Sequence, residues 1–101
     1  MLIGYARVSS NDQDAAAQVA ALKAAKCARI YREQASGGRW DRPELQRLLD
    51  QLRKGDVLVV WKLDQLSRSL RDVVTIMERL AEAEAGFRSL TEANRWNRKR
   101  T

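Results

Sequence analysis

The chain has 101 residues, room for one domain with a single modest core, and at 45% hydrophobic it falls among globular sequences. Lys and Arg number 19 against 13 Asp and Glu, a formal net charge of +6, and histidine is absent. The absence excludes Ser-His and Cys-His nucleophile pairs and His-ligated metal sites, and the single cysteine, Cys27, excludes an intrachain disulfide and a multi-cysteine zinc site.

Residues 2–8 form a short apolar run with Arg7 near its end, the pattern of a buried strand. Ser9, Ser10, Asn11, Asp12 and Asp14 supply turn and N-cap chemistry, and the Ala- and Leu-rich stretch 15–26 follows as a helix. Ile30 and Tyr31 mark a second strand over 29–32, and Ser36-Gly37-Gly38 a flexible loop. Pro43 suits a helix first turn, with Leu45, Leu48, Leu49 and Leu52 on one face of the helix that Lys54-Gly55-Asp56 closes. The run 57–61, apolar on both faces, is the strongest strand signal and far too short to span a bilayer. A helix over 69–84 carries the stripe Val73, Ile76, Met77, Leu80 and Ala81, and 87–90 is a last short strand.

The order β-α-β-α-β-α-β predicts an α/β sheet with helices on both faces. In such sheets ligand chemistry collects beyond the carboxyl ends of the strands. Those ends are residues 7–9, 36–42 and 62–68, which bring a serine together with Arg7, Arg39, Arg42 and Arg68. Arginines around a serine, with no histidine to act as base, suit a phosphate better than an acyl group, because the guanidinium fork matches phosphate oxygens in two-point contact. No strand leads into a GxGxxG or GxxxxGK[ST] loop, which disfavours a nucleotide-binding domain.

Much of the basic excess lies at the end of the chain. Residues 94–101 contain Arg95, Arg98, Lys99 and Arg100 and no acid; without those four, 15 basic residues face 13 acidic ones. The segment reads as a solvated, poorly ordered tail or as a phosphate-contacting one.

Four segments in order carry a resemblance. They are Gly4-Tyr5-Ala6-Arg7-Val8-Ser9-Ser10; Ala35-Ser36-Gly37 with Asp41-Arg42-Pro43-Glu44-Leu45; Gly55-Asp56-Val57-Leu58-Val59-Val60-Trp61-Lys62-Leu63-Asp64-Gln65-Leu66-Ser67-Arg68-Ser69-Leu70; and Gly86-Phe87-Arg88-Ser89-Leu90-Thr91-Glu92. Over residues 1–93 the chain resembles the catalytic domain of the serine recombinases, the resolvase/DNA invertase family. The resemblance implies a resolvase-like three-layer α/β sandwich, its mostly parallel sheet of four or five strands flanked by helices on both faces. It implies that Ser9 attacks a DNA phosphodiester to form a 5′-phosphoserine link, with strand exchange by subunit rotation and no metal or nucleotide cofactor. Arg7, Arg42 and Arg68 match arginines that activate the serine and hold the phosphate. Ser36 and Asp64 match active-site polar positions, and Gln13 and Gln18 lie where the family keeps glutamines. Arg39, Arg71, Arg95, Arg98, Lys99 and Arg100 are the candidate DNA contacts. The implied partners are DNA and further copies of the chain, as dimer or tetramer, in a cytoplasmic protein of bacterial or mobile-element origin with no membrane association.

The residues also admit plainer roles. Ser9 could serve only as a helix cap, Ser10 suits the turn, and Arg42 and Arg68 could pair with Asp41 and Asp64. Trp40 and Trp61 suit packing, and Cys27 a small apolar position. Two departures stand out. Where the family reads Asp-Arg-Leu-(Gly/Ser)-Arg this chain has Asp64-Gln65-Leu66-Ser67-Arg68, so a neutral amide replaces an expected catalytic arginine. Past residue 93 the family continues into a long dimerisation helix and a helix-turn-helix domain, whereas residues 94–101 are too short for either. The expectation is a truncated catalytic domain with impaired cleavage, or a non-catalytic remnant that acts as a DNA- or protein-interaction module.

Overall fold

Four strands, β1 (Leu2–Val8), β2 (Arg29–Gln34), β3 (Val57–Val60) and β4 (Gly86–Ser89), pair in parallel in the order β2-β1-β3-β4. The computed structural model describes residues 1–8, 13–34, 42–66 and 69–91, and for 13–15, 64 and 65 the backbone. Helices α1 (Gln13–Ala24), α2 (Pro43–Asp50), α3 (Leu63–Leu66) and α4 (Leu70–Glu82) fill the intervals. Among the described residues no helix is long and apolar enough to cross a membrane.

Strand alternation sorts the core into two layers. Ile3 and Tyr5 of β1, Leu58 and Val60 of β3, and Phe87 of β4 meet Leu45, Leu48 and Leu49 of α2, Leu66 of α3, and Ile76 and Leu80 of α4. On the other face Ala6 and Val59 meet Leu22 of α1, with Leu2, Val8, Val19, Cys27 and Ile30 packed beside them. The three-layer expectation therefore holds, with α1 the one described helix on the second face. Small residues on β1 let α1 come close. A Cβ on Gly4 would stand 3.1 Å from a Leu22 methyl and 3.3 Å from the Cys27 sulfur, tighter than ordinary contact.

The elements follow the sequence pattern closely, with one addition. No element is expected over 62–68, yet α3 forms a single helical turn there. Its leucines explain it: Leu66 is fully buried and Leu63, three residues earlier on the same face, packs beside the same cluster.

Two helices end in left-handed residues that are not glycine, Lys26 at φ 70° and Glu84 at φ 58°. Each closes a six-residue turn: Cys27 N–H donates to Leu22 O, and Ala85 N–H to Leu80 O. The backbone is then aimed into β2 or β4. A Cβ in this region is strained by roughly 1–2 kcal/mol. Lys26→Gly should therefore raise stability by about 1 kcal/mol in urea unfolding.

The turn before β3 uses Gly55 at φ +91° and is closed by Asp56, whose carboxylate accepts from Arg53 N–H at 2.9 Å and from the Met1 ammonium at 3.1 Å. Burial alone would raise the Asp56 pKa, but the Arg53 N–H and the ammonium outweigh it and hold the carboxyl below its usual value. A folded pKa below the unfolded one gives stability that is present above the unfolded value, about 3.9, and lost as pH falls through the folded value. Asp56→Asn should lower stability at pH 7 and lose less than wild type between pH 7 and pH 3, as measured by urea unfolding at both.

Candidate active site

Parallel pairing puts the carboxyl ends of all four strands at one edge, with Val8 opposite Gln34 and Tyr5 opposite Val60. Along β1 the backbone direction alternates. Met1 O accepts from Val57 and Leu2 O from Ala28, so odd-numbered residues face β3 and even-numbered ones β2. Pairing with β3 stops at Tyr5, leaving the next odd residue, Arg7, without a β3 partner. Gln18 of α1 supplies what is missing. Its Oε1 accepts from Arg7 N–H at 3.1 Å and its Nε2 donates to Arg7 O at 2.8 Å, so one carboxamide takes the place of a ladder rung. Gln18 is 1% exposed, and this double bond is what allows a carboxamide to be buried there.

The Arg7 guanidinium begins from that anchored backbone. Its Nε is buried and has no hydrogen-bond partner among the described residues. Beside it lies Tyr5, whose hydroxyl donates to Glu33 Oε1 at 3.1 Å. Burial, then the Glu33 charge, pushes the Tyr5 pKa up, while Arg42 and Arg7 pull it down. Both arginines are thus close enough to act on the same hydroxyl.

Glu33 has a second task. It is buried at the end of β2 and accepts from Leu45 N–H at 3.0 Å and from Glu44 N–H at 3.4 Å, capping α2 from outside the helix. The residue at the N-cap position, Arg42, makes no side-chain cap bond, and Pro43 begins the helix. Arg42 is consequently free to reach elsewhere. Its guanidinium donates to Leu66 O, the last carbonyl of α3, and to Asp72 in the first turn of α4. The pairing with Asp41 weighed from the sequence lies outside the described residues. The Arg42 side chain is 9% exposed and Asp72 30%.

A family model described as "Resolvase, N terminal domain" matches residues 2–101. The chain belongs to that family. It is 50% identical over 93 residues to the serine recombinase Gin of Escherichia phage Mu, covering 92% of this chain and 48% of that protein. It is 47% identical over 91 residues to the DNA-invertase Hin of Salmonella typhimurium, covering 90% and 48%, and 36% identical over 92 residues to the transposon Tn917 resolvase of Enterococcus faecalis, covering 91% and 50%. The chain therefore spans about half the length of the curated relatives it matches. Among solved structures it is similar to the C-terminal catalytic domain of IS1535 TnpA, an IS607-like serine recombinase, with TM-score 0.69 and 31% identity over 87% of this chain and 69% of that one. The corresponding domain of ISC1926 TnpA gives TM-score 0.70 at 26% identity, over 88% and 66%.

In this resolvase-family domain the structure brings Arg7, Gln18 and Arg42 to the carboxyl edge of the sheet. Arg71 is exposed in the first turn of α4. Asp64 and Gln65 lie in α3 and Gln13 opens α1, as backbone positions. Ser9, Ser36, Arg39, Arg68, Arg95, Arg98, Lys99 and Arg100 lie outside the described residues. Three participants went unrecognised in the sequence: Tyr5, Glu33 and Asp72. Glu33 did leave a signal, since it shares the inward parity of Tyr31, where an acid needs a polar partner. Asp72 left none, because its contact joins elements 30 residues apart.

Gln18→Leu keeps the side-chain volume but strips Arg7 N–H and C=O of their partners. It should cost about 1–3 kcal/mol in denaturant unfolding. Exchange of the Arg7 amide with deuterium should accelerate more than that of Ile3, which the β1–β3 ladder still protects.

Proposed function

We propose that this domain is the catalytic half of a serine recombinase that cleaves and rejoins DNA through Ser9. In the cleavage step Ser9 Oγ attacks the phosphorus of a phosphodiester. The P–O3′ bond breaks, the 3′ oxygen leaves and takes up a proton, and the 5′ phosphate stays esterified to the serine. Arg7, Arg42 and Arg68 hold the phosphate oxygens and stabilise the charge that develops on them; Asp64, Ser36 and Gln13 complete the polar surroundings. Gln18 acts one step removed, by fixing the backbone of Arg7.

The observation that carries this reading is the buried Nε of Arg7, which has no partner among the described residues and stands two residues before Ser9 in the sequence. A buried guanidinium N–H without an acceptor is costly, and a phosphate oxygen would satisfy it. Phosphoryl transfer asks mainly for positioning and positive charge, which suits a site built of arginines without histidine.

Gln65 sets the expected activity. An amide there donates hydrogen bonds but brings neither charge nor a two-point fork. Losing one transition-state donor typically costs about 10²–10³ in rate. Gln65→Arg should raise the yield of covalent protein–DNA adduct on a nicked suicide substrate by about that factor, and Ser9→Ala should abolish it. Equal adduct yields from the wild type and from Gln65→Arg would show that this position does not limit cleavage. The same residue favours a second reading, a domain that binds DNA or recombinase subunits without cutting. Absence of any Ser9 adduct even with Gln65→Arg, alongside retained salt-sensitive DNA binding, would select it.

A further inference from the structure

The two arginines of the described site differ in one respect. Arg7 has an Nε with no partner among the described residues, whereas Arg42 already holds an anion, the carboxylate of Asp72. Carboxylate and phosphate present a guanidinium with equivalent pairs of acceptor oxygens, so both compete for the same N–H groups. Glu33 is not available for this: it is committed to Tyr5 and to the amides of Glu44 and Leu45.

We infer that Asp72 is a positioning residue that occupies Arg42 in the resting domain and is displaced when a phosphate group binds. The inference rests on the reading of Arg42 as a phosphate ligand.

The surroundings are arranged for an exchange of partners. One terminal nitrogen of Arg42, Nη1, donates to Leu66 O and the other, Nη2, to Asp72 Oδ2. Leu66 O keeps the guanidinium in place while Nη2 changes partner. Asp72 is a third-position residue of α4 whose backbone N–H is held by the Ser69 hydroxyl at 3.3 Å. A carboxylate in a helix first turn is favoured by the helix dipole, and this one is already partly open to water at 30% exposure. Once released it needs no new protein partner. Arg42 is the more buried member, so it is the group that requires an anion, and phosphate can supply one. Phosphate uptake would in this way loosen the tie between α2 and the start of α4, the helix that carries Arg71 and the exposed Leu70 and Val74.

Titration of the 101-residue chain with inorganic phosphate, followed by NMR of the Arg42 Nε–H and the Asp72 carboxyl carbon, tests this. In the wild type both signals should move with one midpoint. In Asp72→Asn, which cannot compete as an anion, the Arg42 signal should respond at about tenfold lower phosphate. Equal midpoints in the two folded proteins, or a stationary Asp72 carbon while Arg42 moves, would make Asp72 a purely structural partner and overturn the inference. An Arg42 signal that is silent in both proteins would instead remove Arg42 as a phosphate ligand, and the active-site reading of it with it. The wild-type carbon signal decides the question even if Asp72→Asn does not fold.

Discussion

A carboxamide completes the hydrogen bonding of β1, and the site is organised around that substitution. A parallel strand longer than its neighbour has backbone groups with no ladder partner. Here they belong to Arg7, the residue that must project a guanidinium at the sheet edge. Gln18 supplies both bonds at once. It can do so because α1 packs over Gly4 and Ala6, which offer almost no side chain to hold it off. Small residues on one face of a strand thus have a consequence at its end: without close approach the amide would not reach.

The second organising constraint is the capping of α2. The first N–H groups of α2 need acceptors, and a local Ser or Asp would be the usual means. The chain uses Glu33 from β2 instead, and Arg42 stands at the N-cap with its side chain free of that duty. The same carboxylate accepts from Tyr5, so one buried acid joins β1, β2 and α2. Arg42 then extends the connection to α3 and α4 through Leu66 and Asp72. Buried polar groups tied in this way are costly to disturb singly, which makes this edge stiff.

Net charge proved a weak guide to this site. Four of the 19 basic residues sit within 94–101. The positive character that matters is local: Arg7 and Arg42 both act on the Tyr5 hydroxyl at a buried edge, where low dielectric makes a single guanidinium count for more than several on a solvated surface.

The strands, the long helices and their order were legible in the sequence from local pattern: short apolar runs on β1 and β3, Ala- and Leu-rich composition on α1, a 3.6-residue stripe on α2 and α4. The single turn of α3 was not, since four residues carry no period and Leu63 and Leu66 form a turn only because a core lies beneath them. The motif arginines, Gln18 and the departure at Gln65 were likewise readable as residue types at set positions. What each of them touches was not. The clamp of Gln18 on Arg7, the capping of α2 by Glu33 and the hold of Asp72 on Arg42 join residues 11, 12 and 30 positions apart. Such partnerships depend on how near two packed elements come, and that distance is set by the side chains between them rather than by any local pattern.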